Sequence, residues 1–299
     1  MRLLAEEESV SQTNKIIKAI AMRVGGIVPD KLYLDMRFAL IFHRRIDWRH
    51  PTTFNEKLQC LKLSYQGEEY SRLVDKYEVK GVISRVLGEK YIIPTLGVWN
   101  DPEEIDFSKL PNKFVLKCTH DSGSVVVCKD KETVNIPELN KHFRKCLSRT
   151  HALAGRELVY EGVKPRIICE PYIVDESGTE LKDYKFFCFN GEPRFFKVDF
   201  GRFTEHHANY YDLEMNLLPF GEKEFMPVRG YAIKKPGNLE EMINCARTLA
   251  KDLPFVRVDF YDVNNHVLFG EMTFFPASGF GRLEPDEWDL KIGNMIEMS

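Results

Sequence analysis

Two hairpin patterns constrain the fold of this chain most strongly. The segment DYKFFCFNGEPRFFKVDF, residues 183–200, has two β-prone runs on either side of an Asn-Gly dipeptide, which is typical of two-residue hairpin turns. The segment FVRVDFYDVNNHVLFGEMTFFPASG, residues 255–279, has the same form around an Asn-Asn dipeptide. Between them, residues 238–253 repeat apolar side chains every three or four positions, as an amphipathic helix does. Hairpins that alternate with helices predict an α+β protein.

Local patterns predict further helices and strands along the rest of the chain. Thr53 followed by Glu56 has the form of a helix capping box. The apolar spacing of residues 71–87 predicts one continuous helix, and residues 11–24 predict a first helix near the N-terminus. The remaining predictions are a short strand and turn over residues 91–99, a strand, tight polar loop and strand over residues 112–130, a helix over residues 136–149 and a strand over residues 166–174.

The composition is that of a globular protein and argues against several functional classes. The chain has 299 residues, of which 43% are hydrophobic and 29% charged, and its net charge of -3 gives no reason to expect a nucleic-acid partner. No stretch approaches the ~20 apolar residues of a membrane span, and the acidic start lacks a signal-peptide pattern. Seven cysteines without a C-x-x-C pair favour reduced thiols, so we expect a cytoplasmic protein.

Charged residues interrupt the apolar runs of the second hairpin. Arg257 and Asp259 lie on its first strand and Glu271 on its second, and a buried charge is costly unless it is paired or bound to a metal. If the two carboxylates converge, a hard cation such as Mg²⁺ would relieve their repulsion. Arg257 shares a face with Asp259 and could hold a phosphate or carboxylate. The alternative is a structural ion pair of Arg257 with Asp259 or with Glu271, and the pattern leaves both open.

Lysines and one further acid are candidate ligand-binding residues. Lys117 ends an apolar strand before a small polar loop, where backbone amides and the ammonium could meet phosphate, although an ordinary hairpin turn gives the same pattern. Lys76 lies in a helical run, where most lysines are solvated. Lys185 alternates with Asp183 and Phe187 on one strand face, or is an edge-strand charge. Glu170 interrupts an apolar strand, or simply ends it.

Familiar catalytic signatures are absent from the sequence. It contains no G-x-x-x-x-G-K-[ST], G-x-S-x-G or H-E-x-x-H string. A P-loop ATPase, a serine hydrolase of the nucleophile-elbow type and a zinc protease of that type are therefore not indicated.

Taken in order, several strings resemble the ATP-grasp superfamily. These are DKYEVKGVI, FVLK with its Gly/Ser loop, CEPYIV, DYKFF, RVDF and GEMTFFPASG. The strings PTTFNEKLQCLKL, DKYEVK, FVLKCTHDSG and DYKFFCFNGEP resemble the TupA-like branch, which is associated with teichuronopeptide and capsular polysaccharide synthesis. The match spans roughly residues 29–293, and its specificity comes from the ordered set of strings.

The resemblance implies an ATP-grasp fold, in which two α+β subdomains grip a nucleotide. We expect a largely helical N-terminal region over residues 1–75, a lid subdomain with the phosphate loop over residues 76–169, and a core subdomain with the metal hairpin over residues 170–299. The implied cofactors are ATP and Mg²⁺. The implied nucleotide-binding residues are Lys76, Lys117, His120, Asp121, Ser122, Gly123, Ser124, Glu170, Pro171, Tyr172, Ile173 and Lys185. Arg257 and Lys185 are the implied catalytic residues, and Asp259, Glu271 and Thr273 the implied metal ligands.

Thr273 departs from the pattern of many ATP-grasp enzymes, which have Asn two residues after the metal-binding glutamate. A threonine hydroxyl is a weaker metal ligand than that amide oxygen. Thr273 is thus the weakest of the three implied metal ligands.

The implied activity is that of an ATP-dependent carboxylate–amine ligase, which forms an amide through an acylphosphate. Its substrates would be a carboxylate and an amine on small molecules or glycans, and the setting cell-surface or capsular polysaccharide synthesis. A glycosyltransferase is one alternative, although the chain has no D-x-D string. A nucleotide-binding module without turnover is the other.

Overall fold

The structure is a computed structural model. It describes residues 28–149, 152, 155–176, 178, 181–201, 206–225, 227–228, 230 and 233–298. The helix predicted over residues 11–24 lies outside these residues.

Helices and strands alternate along the described chain. The helices are α1 (Asp30–Phe42), α2 (Phe54–Ser64), α3 (Glu68–Val74), α4 (Glu78–Val86), α5 (Ile136–Leu147), α6 (Leu239–Ala250) and α7 (Glu287–Gly293). The strands are β1 (Gly97–Trp99), β2 (Phe114–Cys118), β3 (Val126–Cys128), β4 (Ile167–Pro171), β5 (Asp183–Phe189), β6 (Glu192–Phe200), β7 (His207–Asp212), β8 (Gly221–Glu222), β9 (Phe255–Val263), β10 (His266–Thr273) and β11 (Leu283–Glu284). This mixture confirms the α+β prediction.

The strands form two principal antiparallel sheets. The first is four-stranded with the order β1-β4-β2-β3, and the second is five-stranded with the order β10-β9-β5-β6-β7. A short pair, β11-β8, adds a third sheet. Because β4 pairs along its length with β2, residues 170 and 171 belong to the first sheet. The chain passes from the first sheet to the second between β4 and β5.

Both predicted hairpins are present with their predicted turns. The β5–β6 turn is Asn190-Gly191 and the β9–β10 turn is Asn264-Asn265, and all four residues have positive φ angles. Two consecutive left-handed residues are what a type I′ turn requires. The predicted capping box is also confirmed, since Thr53 accepts a bond from the Glu56 amide and Glu56 accepts one from the Thr53 amide.

The single helix predicted over residues 71–87 is wrong, because the structure has two helices there. α3 ends at Val74 and α4 begins at Glu78. Between them, the Asp75 carboxylate accepts bonds from the amides of Tyr77 and Glu78, and a guanidinium nitrogen of Arg166 lies 2.9 Å from it. Asp75 therefore starts α4 as a side-chain cap, a local hydrogen bond that competes with helix continuation.

The largest hydrophobic core lies on both faces of the five-stranded sheet. Phenylalanines of β5 and β6 pack with the apolar side of α6 and with α2. A smaller core joins the four-stranded sheet to α5 through Leu116 and Phe143. Each of the seven cysteines is an unpaired thiol, which agrees with the expected reduced state. In the part of the chain that the structure describes, no helix is both long and apolar enough to span a bilayer.

Candidate active site

Strand register gathers the charged residues of the second hairpin on one sheet face. Asp259 lies directly opposite Glu271 on β10, and Lys185 lies opposite Asp259 on β5. A β-bulge at Gly270 shifts the register, and this shift makes Glu271 the partner of Asp259. Bulges next to functional sites redirect side chains in this way. The two carboxylates therefore converge, as the metal-site hypothesis requires.

Arg257 binds both carboxylates. Its guanidinium contacts Asp259 through two bonds of 2.7 Å, Glu271 at 3.0 Å and the Thr273 hydroxyl at 3.0 Å. Burial would lower the pKa of Arg257, but the two carboxylates outweigh burial, so this pKa lies above its usual value. The ion pairs that the sequence left as an alternative are thus formed in this structure. They use the same oxygens that a metal would use.

The oxygen atoms of this face suit a magnesium ion. Mg²⁺ commonly takes one or two carboxylates and fills its other positions with water and substrate phosphates. Asp259, Glu271 and Thr273 offer two carboxylates and a hydroxyl from adjacent strands. Among the described residues, no group of three or more His, Cys, Asp or Glu side chains forms a metal site by itself. If these three side chains hold the ion, water and phosphate oxygens would complete its coordination.

Lys185 lies at the centre of this face. Its Nζ is 2.8 Å from Asp259, 3.0 Å from Asp183 and 3.6 Å from Asp199. Burial would lower the pKa of Lys185, but these carboxylates raise it above its usual value. Because β5 is the central strand of its sheet, the edge-strand alternative for Lys185 is wrong.

A second cluster lies on the four-stranded sheet. Glu170 is buried between Lys117 and Lys80, and each lysine Nζ is 2.6 Å from one of its carboxylate oxygens. Burial would raise the pKa of Glu170, but the two lysines lower it below the usual value. The structure thus brings Lys117 and Glu170 together and adds Lys80, which sequence reasoning missed. Its only sequence signal is that it follows Lys76 by about one helical turn.

Lys76 connects the loop that is expected to bind phosphate, residues 120–124, to the β9–β10 hairpin that is expected to bind metal. These are called the phosphate loop and the metal hairpin below. Its Nζ donates a 2.7 Å bond to the Asp121 carbonyl and lies 3.9 Å from a carboxylate oxygen of Glu271. Asp121 and Glu271, which are 150 positions apart in the sequence, therefore meet at this ammonium. Lys76 is therefore not a solvated lysine, although most lysines in helical runs are solvated.

The phosphate loop has a tight local structure. The Ser124 hydroxyl bonds the Asp121 carboxylate and accepts a 2.8 Å bond from the Cys118 amide. Gly123 has a φ of 97°, which few other residues adopt, and it is exposed together with Ser122. His120 is buried, and neither of its ring nitrogens has a hydrogen-bond partner.

Pro171, Tyr172 and Ile173 follow Glu170 out of β4. Pro171 ends the strand, the next two residues have no regular structure, and all three are half-buried. They begin the connection between the two principal sheets. The backbone N–H and C=O groups of Tyr172 and Ile173 therefore lie outside the strand pairing of β4.

A third group of polar residues continues from Lys185 across β6 and β7, and sequence reasoning missed it. Lys197 lies opposite Lys185 and its Nζ is 3.2 Å from Glu222, which also accepts a 2.7 Å bond from the Tyr210 hydroxyl. His206 Nε2 lies 2.9 Å from Asp199. The period-two alternation of β6 could have placed Lys197 and Asp199 on one face, but not their meeting with Glu222.

The chain is similar to one protein family and to several solved structures. The family model of TupA-like ATP-grasp proteins matches residues 56–297. The D-alanine–D-alanine ligase of Helicobacter pylori is 16% identical, with 75% of this chain and 61% of that chain covered and a TM-score of 0.38. The corresponding ligase of Bacillus anthracis, complexed with ATP, is 17% identical, with 77% and 64% covered and a TM-score of 0.40.

A third similar structure is the phosphoribosylamine–glycine ligase of Thermotoga maritima, at 16% identity, 71% and 51% coverage and a TM-score of 0.38. The chain thus spans less than two thirds of each of these ligases. No match was found among curated proteins. The family model covers well over half of the residues, so the chain belongs to the TupA-like ATP-grasp family and has the α+β ATP-grasp fold.

Proposed function

We propose that the protein is an ATP-dependent carboxylate–amine ligase. A substrate carboxylate oxygen attacks the γ-phosphorus of ATP, and ADP leaves. The amine nitrogen then attacks the carbonyl carbon of the acylphosphate, phosphate leaves and the nitrogen loses a proton. Phosphoryl transfer of this kind depends on alignment and charge neutralisation and needs no side-chain nucleophile. That requirement agrees with a site built from lysines, an arginine and carboxylates.

The observation that carries the proposal is the position of Lys76. Its ammonium contacts both the phosphate loop, at Asp121, and the metal hairpin, at Glu271. A cation held between a Gly/Ser loop and two convergent carboxylates is what a bound nucleotide triphosphate with its metal would need.

In this proposal the residues divide between nucleotide binding and phosphoryl transfer. Lys76, Lys117 and the phosphate loop bind phosphate oxygens, Glu170 orients Lys117 and Lys80, and the backbone of residues 171–173 lines adenine. Arg257 leaves its carboxylates and, with Lys185, offsets charge on the transferring phosphoryl group. Asp259, Glu271 and Thr273 hold Mg²⁺, which when bound neutralises phosphate charge.

The proposal extends to the organisation of the molecule and its setting. The two principal sheets belong to the two subdomains that grip the nucleotide, a lid over residues 76–169 and a core over residues 170–299. Residues 170 and 171, at the start of this core, pair with β2 in the first sheet. The carboxylate and the amine belong to small molecules or glycans of cell-surface polysaccharide synthesis in the cytoplasm. The resemblance of the N-terminal strings to the TupA-like branch supports this setting.

The test is to incubate the purified protein with Mg-ATP and fractionated cell extract, following ADP and phosphate release. Fractions that trigger release from the wild type, but not from Glu271→Gln, contain a substrate. The variant corrects for contaminating ATPases. Consumption of a nucleotide sugar without ADP release would favour the glycosyltransferase instead, and nucleotide binding without turnover in any fraction would favour a binding module.

A further inference from the structure

One face of α2 carries a buried polar stripe. Asn55, Gln59 and Lys62 follow each other at intervals of four and three residues, which places them on one side of the helix. They are 2%, 0% and 0% exposed. Buried polar groups are costly unless they find hydrogen-bond partners, so the partners of this stripe indicate its purpose.

All three side chains bind main-chain carbonyls of a single turn, defined here as the left-handed turn, residues 276–281. Asn55 donates to the Gly281 carbonyl at 2.9 Å and Gln59 to the Gly279 carbonyl at 2.5 Å. Lys62 donates to the Ser278 carbonyl at 2.7 Å. Each residue of the polar stripe therefore stabilises this turn by at least one hydrogen bond.

The left-handed turn has a backbone that needs such support. Ala277, Ser278 and Gly279 have φ angles of 48°, 56° and 62° in succession. For Ala and Ser this conformation is unfavourable, because it brings the Cβ atom too close to the following carbonyl oxygen. At Gly279 a Cβ atom would lie 2.5 Å from the Gln59 amide nitrogen, so the close approach of α2 also requires glycine. Strained backbone persists where surrounding contacts determine it, and it clusters at functional sites.

Lys62 is an unusual choice for a purely structural contact. Its Nζ also donates to the Gly155 carbonyl at 2.7 Å and to Gln59 Oε1 at 3.0 Å. Among the described residues, no carboxylate lies within ion-pair distance of it. Burial lowers the pKa of Lys62 to about 7. A hydrophobic side chain of similar length would pack here without the cost of burying a charge. The role of the ammonium therefore lies in the hydrogen bonds that it donates.

The left-handed turn begins at Pro276, three residues after Thr273 ends β10, the strand that carries Glu271. Ala277 and Gly281, with Asn55 of α2 and with Phe187 and Tyr210 of the five-stranded sheet, line a small cleft of about 20 Å³, which has room for about one water molecule. Phe187 lies opposite Arg257 in the sheet, so the cleft begins beside the arginine of the site. Because a peptide group is planar and trans, pulling the Ser278 carbonyl towards α2 turns the Gly279 N–H away from α2.

We propose that Gln59 and Lys62 are positioning residues, which hold the left-handed turn as a wall of the site for the substrate carboxylate. Their side chains hydrogen-bond the turn, each other and the Gly155 carbonyl, so they would act on the substrate through these contacts. This inference rests on the proposed ligase function. It predicts that the polar stripe of α2 affects the affinity for the carboxylate substrate and leaves the affinity for ATP unchanged.

The test compares Lys62→Met and Gln59→Leu with a matched control, Lys57→Met. Lys57 lies on the same helix, and its Nζ donates to the carbonyls of Gly293 and Ile296, away from the left-handed turn. The probe is the extract fraction that triggers ADP release from the wild type. For each full-length variant, the half-saturating amounts of this fraction and of Mg-ATP are measured separately.

We expect Lys62→Met to raise the half-saturating amount of the fraction on the order of 10- to 100-fold, since a small misplacement of a substrate wall has effects of that size. The half-saturating concentration of Mg-ATP should stay within about twofold. Lys57→Met should change neither quantity. If Lys62→Met does not fold, Gln59→Leu, which loses the bond to Gly279 but keeps the lysine, should show a smaller shift in the same direction.

Two results would overturn the inference. The first is a folded Lys62→Met or Gln59→Leu protein with wild-type half-saturation for the fraction. The second is an equal change for the fraction and for Mg-ATP, which would mean that α2 only supports the whole site. A wild type that releases no ADP with any fraction overturns the proposed function itself, and the inference with it.

Discussion

Arg257 lies between the two carboxylates that the metal-site hypothesis needs. The guanidinium offsets the repulsion of Asp259 and Glu271, and in the proposed mechanism a bound metal would make the same guanidinium available to a phosphoryl group. The carboxylate oxygens of Asp259 and Glu271 would then pair with Arg257 in the absence of metal and bind the metal when it is present. The two acids differ in exposure, however: the Asp259 side chain is 1% exposed and that of Glu271 is 40%.

This difference separates the effects of neutralising each acid. We expect Asp259→Asn and Glu271→Gln each to slow ADP release on the order of a hundredfold, a loss of ~3 kcal/mol at the transition state. Asp259→Asn leaves Lys185 and Arg257 short of a buried partner and should cost about 3 kcal/mol of unfolding free energy. Glu271→Gln should cost less than about 1 kcal/mol, because its ion pair is partly exposed. Chemical denaturation and ADP-release rates measure the two quantities.

Asp262→Asn is the matched control for these variants, because Asp262 lies on the same strand with its side chain bonded to Asn238. It should leave the rate of ADP release near that of the wild type. A folded Glu271→Gln protein that releases ADP at the wild-type rate would contradict the metal site.

Lys62 makes stability depend on pH in a direction that can be measured. Its pKa is about 7 in the folded protein and near 10.4 in an unfolded chain. Below pH 7 both states are protonated and the cost of the buried ammonium is present in full. As pH rises from 7 to 9, only the unfolded state keeps the proton, so the unfolding free energy should rise. The gain should be about 2–3 kcal/mol by pH 9.

The measurement is the difference in unfolding free energy between the wild type and Lys62→Met at pH 6, 7.5 and 9. The subtraction removes the contribution of other titrating groups that the substitution leaves unchanged. A difference that stays constant across this range would show that Lys62 keeps its ordinary proton affinity in the fold.

At the scale of helices and strands, local signals succeeded where the chain contacts itself within a few residues. The turns at Asn190 and Asn264 and the capping box at Thr53 depend on adjacent residues, and all are found as predicted. The break after Val74 was missed because it depends on Asp75 capping the next helix, with Arg166 holding it from ninety residues away. Apolar periodicity continues across such a break and gives no sign of it.

The candidate site shows the same limit. Alternation along β5 and β9 predicted which side chains share a face, and ordered strings predicted that Lys117 and Glu170 belong to one site. Neither signal could predict that Lys80 approaches Glu170, since this depends on where α4 packs against the first sheet. The bulge at Gly270, which sets the partner of Glu271, is likewise decided by strand pairing and not by local pattern.

The phosphate loop should become more ordered when nucleotide binds. Ser122 and Gly123 are exposed, and the loop is attached to the metal hairpin through Lys76, so a bound phosphate could replace these loop contacts with its own. We expect amide hydrogen exchange over residues 118–126 to slow by more than tenfold with saturating Mg-ATP, because lids order over bound phosphates. Hydrogen-exchange mass spectrometry with and without Mg-ATP is the measurement.

Helix α6 provides the internal reference for this experiment. It packs against the five-stranded sheet, away from the phosphate loop, and its exchange should not change with nucleotide. If exchange over residues 118–126 is also unchanged at saturating Mg-ATP, the loop is only a hairpin turn.

At the scale of the molecule, the candidate site is divided between two sheets. Lys117 and Glu170 lie on the four-stranded sheet, and Lys185, Asp259 and Glu271 on the five-stranded one. A ligand that binds the residues of both sheets would add new contacts that join one sheet to the other. The stability of the whole chain should therefore report on binding.

We expect Mg-ATP to raise the melting temperature of the protein. A ligand that binds only the native state stabilises it by mass action, by about 2.7 kcal/mol at a hundred times its Kd, which corresponds to a rise of several degrees for a chain of this size. ATP with a chelator should have a smaller effect, because Asp259 and Glu271 would then repel the phosphates. Lys117→Met should reduce the rise, and Asp262→Asn should leave it intact. A UDP-sugar should have little effect. A large rise with a UDP-sugar and none with Mg-ATP would contradict nucleotide binding between the two sheets.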